Sequence, residues 1–237
     1  MNKTALITGA SQGLGLELAR LLARRNVNLV LNARRSGPLA EAARELAQYT
    51  HVEAVAGDVS EIAEELAARA QARFGGVDIL VNNASELGPL PMPRLEDYAW
   101  DALLRVLRVN AVAPMHLAQL LLPRMKVQGA GVIVNISSDA GVNAYPGWGG
   151  YGASKAALEH LSRTLAAELE GTGVRVVVVD PGDMNTEMHR NAANVADLSA
   201  LPTPDLVAPA ILELIDAAFD AAPPFVRVEA QRMLVLS

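Results

Sequence analysis

The sequence predicts an α/β fold: one doubly wound, parallel sheet with helices on both faces. Three observations predict it. Short apolar runs alternate with alanine- and leucine-rich helical stretches along all 237 residues. The run Val174–Val179 is nearly all valine, as expected of a strand buried on both faces. The first run, Ala5-Leu6-Ile7, leads through glycines into a helix, the strand–turn–helix order of a Rossmann-like nucleotide fold. No repeat, linker or low-complexity tract interrupts the pattern, so residues 1–237 read as a single domain.

The elements follow in order. After the first strand comes Thr8-Gly9-Ala10-Ser11-Gln12-Gly13-Leu14-Gly15, then a helix with Leu14, Leu18, Leu21 and Leu22 on one face. Glycines there let the backbone turn tightly and approach a ligand closely. The helix N-terminus offers N–H groups and a positive dipole end, suited to a pyrophosphate. The plain alternative is a glycine-rich turn with no ligand. Val27–Ala33 is the second strand and ends at Arg34-Arg35. An acid at this strand end would hold a ribose 2′-hydroxyl, whereas arginine suits a 2′-phosphate. Residues 30–36 contain no acid, so NADP(H) is expected over NAD(H), which stays possible.

Leu39–Tyr49 reads as a helix and Val52–Ala56 as the third strand, closed by Gly57-Asp58-Val59. Asp58 is either an acceptor for an adenine amino group or a helix N-cap. Ile62–Phe74 is the next helix and Val77–Val81 the fourth strand, ending at Asn82-Asn83-Ala84-Ser85. Those asparagines either tie neighbouring backbones together beside a cofactor or form a plain turn. A proline-rich loop leads to a long helical stretch, Leu95–Met125. Asn110 lies inside it among apolar residues, so its amide needs a partner, and Pro114 marks a kink. Gly131–Ser137 is the fifth strand and delivers Ser138 to its carboxyl end. The sixth, Val174–Val179, ends at Asp180-Pro181-Gly182. Residues 183–204 are polar and aperiodic and read as a substrate lid. Pro204–Phe219 is a last helix and Phe225–Val228 a last short strand. Ligands of such sheets bind outside the carboxyl ends of the strands, where Gly9, Arg34, Asp58, Asn83, Ser138 and Pro181 all fall.

Tyr151 and Lys155 stand four apart where a glycine-rich loop enters a helix, so they share one helix face. A free phenol ionises near ~10, too high for easy proton exchange at neutral pH. An ammonium roughly 5 Å away, at an effective dielectric of about 20, favours the phenolate by about 3 kcal/mol, roughly two pKa units. The expectation is a phenol tuned downward into a usable acid and base.

Composition narrows the function classes. Cysteine is absent, which excludes disulfides and cysteine-based metal sites, and no metal is expected. A net charge of −6 argues against a general nucleic-acid binder. No apolar run reaches the roughly 20 residues that span a bilayer, so no membrane is expected. Met1-Asn2-Lys3-Thr4 runs straight into a strand, so no signal peptide is evident and the expected location is cytoplasmic.

Together, Thr8-Gly9-x-x-x-Gly13-x-Gly15, Asn82-Asn83-Ala84, Asn110, Ser138, Tyr151-x-x-x-Lys155 and Pro181-Gly182 resemble the motif set of the short-chain dehydrogenase/reductase family, in that family's order and over essentially the whole chain. The resemblance implies NAD(P)(H)-dependent oxidoreduction between a small-molecule carbonyl and its alcohol. It implies that Tyr151 exchanges the proton, that Lys155 lowers its pKa and holds the nicotinamide ribose, and that Ser138 bonds the substrate oxygen. Asn110 would carry a water linking Lys155 to solvent. Gly9, Ser11, Gln12, Gly13, Leu14 and Gly15 would bind the pyrophosphate, Arg34 and Arg35 the 2′-phosphate, and Asp58 and Val59 the adenine. Asn83 and Ala84 would serve the ribose region. Pro181, Gly182, Met184 and Thr186 would lie on the nicotinamide side.

The chain departs from the family with Ser85 where glycine is usual and Gln12 where many NADP users carry a basic residue. A homodimer or homotetramer is implied, the dimer through 95–125 and 151–169. Tyr145, Pro146, Trp148 and the lid flank the expected substrate space, with Asp139, Asp183 and His189 as polar candidates. Trp148 either stacks on a substrate or anchors its loop. Two other functions fit parts of the pattern. One is a catalytically idle NADP(H)-binding sensor or partner module. The other, a nucleotide-sugar epimerase or dehydratase, needs a larger C-terminal domain than this length allows.

Overall fold

The structure, a computed structural model, describes residues 2–193, 197–220 and 223–234. Its strands are β1 (Thr4–Thr8), β2 (Asn28–Ala33), β3 (Val52–Ala56), β4 (Ile79–Asn82), β5 (Gly131–Ile136), β6 (Val174–Asp180) and β7 (Phe225–Glu229). Among the described residues they form one sheet in the order β3-β2-β1-β4-β5-β6-β7, parallel throughout. The helices are α1 (Gly13–Arg24), α2 (Ser36–Leu46), α3 (Ala63–Phe74), α4 (Trp100–Leu107), α5 (Ala113–Gln128), α6 (Gly149–Glu168), α7 (Glu187–Ala193), α8 (Pro204–Phe219) and α9 (Ala230–Leu234). No helix among the described residues is long and apolar enough to cross a membrane.

Side chains alternate between two apolar layers, because successive strand residues point to opposite faces. Ile7, Leu29, Leu31, Val81, Val134 and Val179 join α1, α2 and α8 in one layer. Leu6, Val30, Leu80, Ile133 and Val176 join α3, α5 and α6 in the other. Parallel strands need such crossovers, and helices on both faces are the result. The strand order reverses at β1, between β2 and β4, which opens a crevice at the carboxyl edge there.

Several elements differ from the sequence reading. The second helix begins at Ser36, because Pro38 is tolerated in a first turn that uses no N–H of its own. The stretch 95–125 is broken into a 3₁₀ turn at Leu95–Asp97, α4, a π-helical turn at Arg108–Val112, and α5. Pro114 has no N–H to offer the Asn110 carbonyl four residues back, and the helix widens there. Residues 183–204, read as aperiodic, contain α7, while residues 194–196 of that segment lie outside the described ones. The short helix α9 after β7 has no counterpart in the sequence reading.

Candidate active site

A cleft of about 1320 Å³ runs along the carboxyl edge of the sheet. It exceeds the ~300–1,000 Å³ of a pocket for one small ligand, leaving room for a dinucleotide and a second molecule.

At one end lies the glycine turn between β1 and α1. Gly9 has φ +67°, and a Cβ there would stand 2.7 Å from Asn83 Nδ2 and 3.0 Å from the Ala84 backbone. Asn83 closes against the turn by donating to the Thr8 and Gly9 carbonyls at 3.0 and 3.1 Å. The Thr8 hydroxyl accepts from the N–H groups of Asn83 and Ala84 at 3.1 and 3.0 Å. So Asn83 ties the end of β1 to the end of β4, and Asn82, donating to Asn135 at 2.8 Å, ties β4 to β5. Gly13, at φ +55°, faces open space: its Cβ would meet only Thr186 Cγ2, at 3.9 Å. Gln12, the N-cap of α1, makes no side-chain cap bond, which leaves first-turn N–H groups for a ligand. A cradle left open by a missing Cβ, backed by free donors, fits a pyrophosphate.

The end of the cleft at Arg34, Arg35 and Asp58 is more crowded than the sequence suggests. Arg35 donates to the Gln12 side chain and stands 3.9 Å from Glu187, to which Gln12 donates at 3.1 Å. Arg34 is exposed and lies 3.7 Å from Glu86. Asp58 caps a turn rather than a helix: it accepts from the Ser60 N–H at 3.0 Å and hydroxyl at 2.8 Å, while Ile62 is the N-cap of α3. Burial opposes the charge on Asp58, but the bonds from Ser60 and Arg105 outweigh it and hold the carboxyl below its usual range. Val59 is buried in the cleft wall beside it.

At the other end, the first turn of α6 presents Tyr151, which is 8 % exposed. Ser85 and Ser138 line the same cleft. Burial pushes the phenol up to about 12, with both serines opposing the rise and Asp180 and Asp139 adding to it. Lys155, 2 % exposed, donates to the Ile136 carbonyl at 2.8 Å, and its ammonium lies 5.4 Å from the centroid of the Tyr151 ring. Burial brings its own pKa down to about 8, with Asp180 pulling the other way. The expectation of a phenol lowered by its lysine is therefore corrected for the free protein. Spacing brings the two groups together, while burial raises the phenol and lowers the ammonium.

Ser138, two residues past the end of β5, caps the next turn, accepting from the Ala140 N–H at 3.2 Å and donating to Asp139 at 3.1 Å. Tyr145 donates to the other oxygen of Asp139 at 2.7 Å. Ser137 is turned the opposite way, to Glu159 at 2.7 Å. Trp148 meets Tyr151 edge-on, with ring centroids 5.8 Å apart, and packs with Leu87, Met92, Met188 and Ala192. It both anchors the loop and lines the cleft. Asp183 and His189 lie 3.4 Å apart at its rim.

Of the residues singled out, Gly15 and Asn110 stand behind the wall. A Cβ on Gly15 would be 2.5 Å from both Asn83 Nδ2 and Gly9 O. Asn110 is fully buried; its amide donates to Glu86 O at 2.8 Å and Ser154 Oγ at 2.9 Å and accepts from Glu86 N at 2.8 Å. With both amide N–H groups engaged, a water can bond this residue only by donating to one of its carbonyls. Ser11, Leu14, Ala84, Pro181, Gly182, Met184 and Thr186 line the cleft with the rest. Glu86, Arg105 and Met188 complete the surroundings; the sequence reading did not single them out, and no spacing rule marks them.

A model of the short chain dehydrogenase family matches residues 3–196. A 3-oxoacyl-(acyl-carrier-protein) reductase from Staphylococcus epidermidis is 35 % identical over 196 residues, 79 % of this chain and 78 % of the relative. Among solved structures, an alcohol dehydrogenase from Thermococcus sibiricus complexed with 5-hydroxy-NADP aligns with a TM-score of 0.83 at 30 % identity, covering 96 % of each chain. An NAD+-bound xylitol dehydrogenase aligns with a TM-score of 0.84 at 25 % identity, again over 96 % of each chain.

Proposed function

The chain belongs to the short-chain dehydrogenase/reductase family and is an oxidoreductase using a nicotinamide cofactor; on that premise we propose that it interconverts a small carbonyl compound and its alcohol, with NADP(H) preferred and Tyr151 exchanging the proton. One observation carries this reading. The Tyr151 hydroxyl, beside that of Ser138, ends a cleft whose far end is an open glycine cradle. The cofactor supplies or accepts the hydride. Ser138, on turning its hydroxyl from Asp139, and Tyr151 offer two donors where charge develops on the substrate oxygen, and Tyr151 passes it the proton. Burial keeps the phenol protonated at neutral pH, which suits carbonyl reduction. Lys155 holds the nicotinamide ribose in this reading, and Asn110 fixes the loop at Glu86 and the first turn of α6 through Ser154. Residues 183–204 act as a lid, supported by the contact from Glu187 to Gln12.

The NADP(H) preference rests on Arg34 and Arg35. Their carboxylate partners are exposed or half-buried pairs of the kind worth ~0–1 kcal/mol, weak competitors for a 2′-phosphate. The apolar wall of Leu87, Trp148 and Met188 favours a substrate with an apolar or ring portion. A homodimer is supported by Trp100, Leu104, Val112 and Leu120, exposed apolar residues on α4, the π turn and α5, together with the exposed small residues Ala153 and Ala156 of α6.

A panel of ketones and aldehydes, assayed with NADPH and NADH by nicotinamide absorbance, tests the function. Turnover of some member is expected, and cofactor binding without any turnover would contradict it. Arg34→Ala is expected to weaken NADPH binding about tenfold and NADH less than about twofold; equal effects would reverse the preference.

A further inference from the structure

We propose that Glu86 is a specificity-determining residue of the cofactor site: its carboxylate holds Arg34 across the crevice and so weakens the preference for a 2′-phosphate that Arg34 confers. The inference rests on the reading of Arg34 as the partner of that phosphate.

Arg34 follows β2 and Glu86 follows β4, and these two strands flank β1. The contact of Arg34 Nη1 with Glu86 Oε2, at 3.7 Å, therefore spans the crevice where the strand order reverses, and both residues line the cleft. Residues 30–36 hold no acid, so Glu86 brings one to the same end of the cleft from another strand. The two partners are held differently. The Glu86 N–H donates to Asn110 Oδ1 and its carbonyl accepts from Asn110 Nδ2, each at 2.8 Å. Its Oε1 accepts from Arg105 Nε at 3.0 Å, and Arg105 Nη2 donates in turn to Asp58 Oδ2 at 3.0 Å. The Arg34 side chain is 63 % exposed, that of Glu86 20 %. The carboxylate is thus the fixed partner and the guanidinium the one free to turn.

Glu86 Oε2 is buried and accepts no hydrogen bond. At 3.7 Å the guanidinium offsets its charge without bonding to it. When Arg34 turns to a 2′-phosphate, this oxygen loses its counter-charge, while Arg105 stays on the other one. Leaving a buried acceptor of a charged group unmet costs free energy. NADPH carries that cost. NADH has a 2′-hydroxyl, gives Arg34 no reason to turn, and escapes it. The effect is small, because a partly exposed ion pair is a weak one. An amide at position 86 keeps an acceptor for Arg105 and removes the charge that holds Arg34.

The test is calorimetric titration of wild type, Glu86→Gln, Arg34→Ala and the double variant. The ligands are adenosine 2′,5′-bisphosphate and adenosine 5′-monophosphate, which differ only in the 2′-phosphate, so no turnover is needed. Glu86→Gln is expected to bind the bisphosphate about threefold to fivefold more tightly than wild type and the monophosphate within about twofold. Glu86→Met, which also gives up the Arg105 bond, is expected to raise the ratio of the two affinities by a similar factor. On an Arg34→Ala background, Glu86→Gln is expected to change bisphosphate binding less than about twofold, since no guanidinium is there to release. A gain that persists in full without Arg34 means that the carboxylate repels the phosphate directly, and it overturns the proposal. Unchanged or weaker bisphosphate binding in a folded Glu86→Gln overturns it too. Arg34→Ala alone separates the premise. If it weakens both ligands equally, the NADP(H) reading fails and the proposal with it. If it weakens the bisphosphate alone and Glu86→Gln gains nothing, the proposal fails and the NADP(H) reading stands.

Discussion

At the scale of single residues, the pairing of Tyr151 with Lys155 was legible in the sequence because a four-residue spacing fixes a helix face. Their ionisation was not, because it depends on what else surrounds them. The Ile136 carbonyl holds the ammonium, and packing by Trp148 and Leu87 desolvates the phenol. This has a consequence for stability. The folded-state pKa of Lys155 lies at about 8, below the ordinary 10.5, so between those values the unfolded chain binds more protons. The burial penalty is fully present below pH 8 and is relieved as pH rises toward 10.5. Denaturant unfolding of wild type and Lys155→Met from pH 7 to 10 should therefore show wild type gaining stability relative to the variant. Parallel curves would mean the ammonium is solvated. Ser85 was visible in the sequence as a departure, but not its burial in the cleft wall without a hydrogen-bond partner, which depends on long-range packing.

At the scale of elements, the strand–turn–helix at the N-terminus was legible because glycines punctuate it between two apolar patterns. Which glycine does what was not. Gly9 has a left-handed φ and no room for a Cβ, whereas Gly13 has a left-handed φ and open space. Gly9→Ala should lower stability by about 1–3 kcal/mol, seen as a fall in Tm. Gly13→Ala should cost about 1 kcal/mol for backbone strain but greatly weaken dinucleotide binding, since its methyl enters the cradle. Calorimetry with a binding titration separates the two, and equal effects on both measures would refute the assignment. The long stretch 95–125 reads as one helical run with a kink at Pro114, because its apolar pattern persists across the break. Asn110 and Pro114 signalled a disturbance there, but the wider π turn depends on the bonds from Asn110 to Glu86 and Ser154. The helix α7 carries no strong apolar period and escaped the reading for that reason.

At the scale of the molecule, the doubly wound parallel sheet was legible because valine-rich runs buried on both faces have few other solutions. Strand order brings Gly9, Arg34, Asp58, Asn83, Ser138 and Pro181 to one edge, as the alternation of elements implied. The surface was less legible, since exposed Trp100 and Leu104 look like core positions until α4 is seen to bury chiefly Val106. Replacing Trp100 and Leu104 together by Lys should convert a dimer to monomers in light scattering; an unchanged mass would move the interface elsewhere. The central claim is that the cleft binds a dinucleotide at one end and exchanges a proton through Tyr151 at the other. Tyr151→Phe, measured for NADPH affinity by titration calorimetry and for carbonyl reduction by nicotinamide absorbance, tests it most directly. Affinity within about twofold of wild type and turnover lower by ~10²–10⁴-fold are predicted; a variant that keeps its turnover would contradict the account.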